Sequence, residues 1–89
     1  MGNYMGGSAP AMANQIVDGF ILLSQASLKG FTDGELTLLR FELERMQRDT
    51  RAEVPPQDDA MAQQVRNRKI SRLSAAIQIV NHQLTRKVR

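Results

Sequence analysis

The sequence predicts an all-α protein, an antiparallel hairpin of two long helices with coiled-coil-like packing, preceded by a shorter N-terminal helix. Three observations carry that prediction. Strong helix formers (Ala, Leu, Gln, Arg, Glu and Met) fill the chain from Ala11 onward. Two stretches place apolar residues at alternating steps of three and four. The 3 prolines, Pro10, Pro55 and Pro56, stand between these stretches, where a residue without an amide hydrogen interrupts no helix.

Residues 1–10 carry three glycines and no apolar period, so they are expected to form a mobile, disordered tail. From Pro10 the pattern becomes helical. Met12, Ile16, Phe20 and Leu23 make one stripe, Val17 and Ile21 broaden it, and Gly30 suits a C-terminal cap, which predicts a helix over 11–29. Gly19 weakens that helix, and a strand over Phe20 to Leu23 is the competing reading.

The second helix, 33–52, has the best-specified start. Thr32-Asp33-Gly34-Glu35 forms a capping box, and Phe31 and Leu36 are spaced as the hydrophobic staple that accompanies one. Leu36, Leu39, Leu43, Met46 and Thr50 then form a narrow seam. Glu44 and Arg48 are spaced for an ion pair on a solvated face, and Leu38 and Phe41 project opposite the seam, where burial against the first helix is expected. Val54-Pro55-Pro56 ends this helix, and Asp58 and Asp59 favour the positive end of the next one, 58–88.

On that third helix Ile70, Leu73, Ile77, Val80 and Leu84 follow an unbroken three-four spacing. A short turn would set Leu39 near Arg72 and Thr32 near Ile79. Val80, Leu84 and Val88 would then overrun helix two, and either helix one or another chain must cover them. Ile70, Leu73, Ile77, Val80 and Leu84 are therefore the expected partner-binding residues.

Composition narrows the function. The chain has 89 residues, no cysteine and one histidine, His82, so a small core is supported by neither a disulfide framework nor a histidine-rich metal site. With 1 Tyr, 3 Phe and no Trp, an aromatic-lined pocket for a small molecule is not expected. His82 has no carboxylate beside it on the helix wheel, and the side chains of Asp58 and Asp59 diverge by about a hundred degrees. No catalytic, cofactor-binding or metal-binding residue is assigned, and no enzymatic activity is expected. The start lacks the basic segment of a secretory signal, and Ile16 to Leu23 is too short to span a bilayer; a cytoplasmic location is expected.

The net charge of +3 conceals a division. Residues 1–58 hold five basic and eight acidic side chains, net −3, whereas residues 59–89 hold seven basic and one acidic, net +6. The two segments either meet within the fold or leave a basic end for an acidic partner. Arg68, Arg72 and Arg86 fall on one line of helix three, a possible phosphate-binding track, and the alternative reading is a small basic nucleic-acid-binding protein. No aromatic residue follows Phe41 to stack on bases, which favours the protein-partner reading.

Leu73-Ser74-Ala75-Ala76-Ile77-Gln78-Ile79-Val80-Asn81, with the charged arm Leu39-Arg40-Phe41-Glu42-Leu43-Glu44, resembles the small needle-subunit co-chaperones of bacterial type III secretion systems over roughly residues 36–82. The resemblance implies a helical hairpin acting in the cytoplasm with a second chaperone to shield an aggregation-prone secreted subunit. Needle subunits themselves are similar hairpins. The expectation is a non-catalytic protein-protein interaction module, an adaptor or co-chaperone, that binds a partner or itself through helix 58–88.

Overall fold

In the computed structural model, Tyr4 and residues 7–87 are described. Helix α1 spans Ala9–Val17, a single 3-10 turn spans Ala26–Leu28, α2 spans Asp33–Ala52 and α3 spans Ala60–Lys87. The described residues contain no strand, and the helices pack on one another around one apolar cluster. The molecule is elongated, 48 × 25 × 19 Å.

The N-terminal helix is half as long as its apolar stripe suggested, and the cause is Gly19. The amide of Gly19 donates to Ile16 O (3.1 Å) and that of Phe20 to Gln15 O (2.8 Å), the paired bonds of a Schellman cap. That motif needs a left-handed residue, and Gly19 has φ +86°. Beyond it, residues 18–25 form an irregular strap that is neither helix nor strand. Burial alternates along the strap: Phe20 and Leu22 are exposed, Ile21 is half-buried and Leu23 is buried, a period of two rather than 3.6. At its start, α1 is capped by Ser8, whose Oγ accepts from the Ala11 amide (3.2 Å).

Part of the expected tail is built into the fold. Residues 1–3, 5 and 6 lie outside the described residues, but Tyr4 donates its hydroxyl to Glu35 O (2.7 Å) and sets its ring edge-on to Phe31 with centroids 5.6 Å apart. An aromatic ring with a part-buried carbonyl in reach fixes Tyr4, a position that composition alone leaves free.

Helix α2 follows its sequence signals closely. Thr32 Oγ1 accepts from the Glu35 amide (3.1 Å) and Glu35 Oε1 accepts from the Thr32 amide (2.9 Å), which closes the capping box. Leu36, Leu39, Leu43 and Thr50 are buried, with Met46 packed against the same cluster. Two expectations fail on the outer face. Leu38 and Phe41 remain 57% and 54% exposed, because α1 lies on the seam side and leaves the opposite face open. The ion pair on this helix joins Glu42 to Arg45 (2.7 Å), not Glu44 to Arg48.

The α2–α3 register differs most from expectation. Arg40 donates to Asn81 (3.0 Å) and Gln47 to Ser74 (2.6 Å), seven steps apart on both helices and opposite in sense. Against the expected pairing, α3 is shifted by about ten residues, roughly 15 Å along its axis. Val80 and Leu84 thus lie level with the first half of α2, and Val88 falls outside the described residues. The overhang sits at the other end. Glu53 leaves α2 with ψ 123°, and the prolines keep the chain extended, so residues 53–59 run out beyond α2 before α3 begins. Asp59 caps α3 by accepting from the Ala62 amide (3.0 Å), and Gln63 Nε2 donates to Pro56 O and Gln57 O (both 3.3 Å), which ties the connection to the first turn of α3. Arg66 closes the C-terminus of α2, its guanidinium donating to Thr50 O (3.2 Å), Arg51 O (2.9 Å) and Glu53 O (2.8 Å).

Candidate interaction surface

Two of the five residues on the expected partner-binding line lie inside the molecule. Leu73 and Val80 are fully buried among Leu36, Leu39 and Leu43, while Ile70, Ile77 and Leu84 are half-buried at the edge. The reason is the third element. A two-helix seam would centre on the three-four line, but α1 and the strap also pack on α3, so its buried face turns toward Leu73, Ala76, Val80 and Gln83. Docking a partner on Leu73 or Val80 would require opening the core.

The arginine line is also partly engaged. Arg72 donates from Nη1 to Val17 O (3.1 Å), satisfying a last-turn carbonyl of α1, and Arg86 donates from Nη1 to Gln25 Oε1 (3.0 Å). Both acceptors are neutral, so the two arginines keep their positive field. Arg68 is exposed one turn before Arg72 on the same side of α3. His82 is exposed. Among the described residues no three His, Cys, Asp or Glu side chains are grouped to hold a metal ion, and no helix is long and apolar enough to cross a membrane.

What these contacts build is a groove that the sequence reading did not anticipate. The strap crosses α3 and leaves an apolar depression of ≈ 450 Å³ whose floor includes Ile16, Ala76 and Ile79, with Arg72 at its edge. Leu22, 95% exposed, lines it, and Phe20, 81% exposed, stands in the chain between the lining residues Gly19 and Ile21. Both ends of the strap are held. The Schellman cap and Arg72 fix the start, and a Cβ on Gly19 would lie 2.9 Å from Arg72 Cζ, so any larger side chain there has to displace the guanidinium. At the far end Ser24 and Ser27 bind each other reciprocally, the Ser24 amide donating to Ser27 Oγ (2.9 Å) and the Ser27 hydroxyl to Ser24 O (3.0 Å). Leu23 and Leu28 anchor it in the core.

Two large apolar side chains on a braced segment face water beside an apolar depression with a cation at its edge. Such a surface can take an apolar side chain from a partner and orient it by charge. The signal in the sequence was Gly19 followed by Phe20-Ile21-Leu22-Leu23, a helix stop before an apolar run. Comparison with protein-family models, with curated proteins and with solved structures finds no match to this chain.

Proposed function

We propose that the protein is a non-catalytic helical interaction module whose partner-contacting surface is the strap groove. The observation that carries this reading is the near-complete exposure of Phe20 and Leu22 on a segment anchored at both ends, since a fold with spare apolar area would bury them unless another surface does. An antiparallel hairpin with coiled-coil-like packing is the scaffold in this reading, supported by the opposite sense of the Arg40–Asn81 and Gln47–Ser74 bonds. The adaptor or co-chaperone role, with its cytoplasmic location and a secreted helical subunit as cargo, is the version of this reading that the type III secretion resemblance suggests. Nucleic-acid binding is the weaker alternative, because Arg72 and Arg86 hold the strap as well as facing solvent.

The test is affinity capture from the native lysate with the wild-type chain, Leu22→Asp and Phe20→Ser. Both side chains are exposed, so the variants should melt with the wild type. A partner held by the wild type and lost by both variants is expected. Capture that survives both substitutions refutes the groove as the contact surface.

A further inference from the structure

Among the described residues two segments of opposite charge are not paired with each other. Helix α3 contains no Asp or Glu from Ala60 to Lys87; its Arg72 borders the strap groove, and Arg68 is exposed one turn before it. In the acidic segment, residues 52–65 contain Glu53, Asp58 and Asp59 and no Lys or Arg. The Glu42–Arg45 ion pair lies within α2, so it joins neither segment to the other.

The acidic segment is also apolar. On the connection and the first turn of α3, Val54 is 85% and Met61 72% exposed, with the three carboxylates close in sequence. Arg66, the first cation of α3, donates to the carbonyls of Thr50, Arg51 and Glu53, so its charge and that of Arg51 sit at the α2 end of the connection, five or more residues in sequence from Asp58 and Asp59. This tip cannot reach the groove of its own molecule. Met61 and Arg72 lie on one continuous helix, about 16 Å apart along its axis.

We propose that the protein self-assembles head to tail, the acidic tip of one copy seating in the strap groove of the next. This rests on the reading of the groove as an interaction surface. Val54 and Met61 pack against Phe20, Leu22 and the apolar floor, and the tip carboxylates face Arg68 and Arg72. Groove-to-groove pairing is disfavoured, because it would bring the same arginines together. Tip and groove are different surfaces, so each contact leaves one of each free and growth is open-ended unless a rotation closes a ring. The contact is partly electrostatic, so salt weakens it.

Sedimentation velocity and light scattering on the full chain, across concentration at low and high salt, test the proposal. The wild-type mass should rise with concentration past the dimer and fall with salt. Leu22→Asp, with an intact tip, and Met61→Asp, with an intact groove, should each remain monomeric with wild-type helical circular dichroism. Mixed in equal amounts they should form a heterodimer and stop there, since only one productive contact is left. As a second line, Asp58→Lys and Arg68→Glu should each weaken association several-fold, and the double variant should recover it. A wild type that stays monomeric at low salt, a wild type that stops at the dimer, or a mixture that shows no heterodimer would each overturn the proposal. A monomeric wild type that still captures a different protein through Leu22 would overturn self-assembly while leaving the interaction module standing.

Discussion

Gly19→Ala should destabilise the fold by about 2–3 kcal/mol, in two parts that can be measured separately. The first part is backbone. Gly19 sits at φ +86°, and an L-residue held in left-handed geometry costs roughly 1–2 kcal/mol. The second part is the lost contact with Arg72. The new Cβ would lie 2.9 Å from Arg72 Cζ and 3.1 Å from Nη1, so the guanidinium must swing away and release Val17 O. That bond is half-exposed, and its loss is worth about 1 kcal/mol. A chain of this length has a total stability of roughly 4–13 kcal/mol, so the loss is a large share of it. At about 4–8 °C per kcal/mol the melting temperature should fall by about 10–20 °C.

The assay is denaturant and thermal unfolding followed by circular dichroism, in a cycle with Arg72→Ala. In the Arg72→Ala background, Gly19→Ala should retain only the backbone part, which leaves a coupling of about 1 kcal/mol between the two sites. If Gly19→Ala changes stability by less than about 0.5 kcal/mol, the Schellman cap is not where the helix ends, and the groove loses its basis. Strict additivity in the cycle would refute the placement of the guanidinium over Gly19.

Three further outcomes follow from other contacts. Thr32→Ala breaks the capping box and should cost about 1 kcal/mol in chemical denaturation, with no change in the slope against denaturant. Arg66→Ala releases three carbonyls and should destabilise by roughly 1–2 kcal/mol, whereas Arg68→Ala, with no internal bond, should leave unfolding unchanged; equal effects would contradict the assigned roles. Tyr4 is the single tyrosine, and partial desolvation, followed by the Glu35 charge, raises its pKa above 10.0. Its folded-state pKa is the higher one, so its stabilising contribution is whole below pH 10 and is lost as pH climbs through the folded value. Titrating the phenolate absorbance should give a midpoint above 10 that returns to 10 in denaturant; a midpoint at or below 10 in the folded protein would show that Tyr4 is not docked on Glu35.

How much of this was legible depends on the range of the interaction. The start of α2 could be read from four residues because a capping box is closed by bonds three residues apart, and no other part of the molecule takes part. The end of α1 was equally local, since Gly19 was the left-handed residue its cap required. The apolar stripe through Phe20 and Leu23 argued for continuing the helix, and the stripe outweighed the glycine in the reading. Of the candidate groove only the strap left a sequence signal, Gly19 before an apolar run; its floor left none. The groove exists because the strap crosses α3 near Arg72, and the Gly19–Arg72 approach joins residues 53 apart in the chain.

By itself the sequence determined the all-helical class, the existence and limits of α2, the apolar seam along it and the separation of charge between the two parts of the chain, all of which are set by periodicity, capping and composition. Only the tertiary structure decided which apolar residues are spare. The extended Pro55-Pro56 connection moved the overhang from the end of α3 to its beginning, and α1 with its strap turned Leu73 and Val80 inward. Phe20, Leu22, Val54 and Met61 were thereby left facing water. Periodicity identifies which side chains share a face of a helix; how far one helix slides along another, and what covers that face, is settled by connections and long-range contacts that leave no periodic trace.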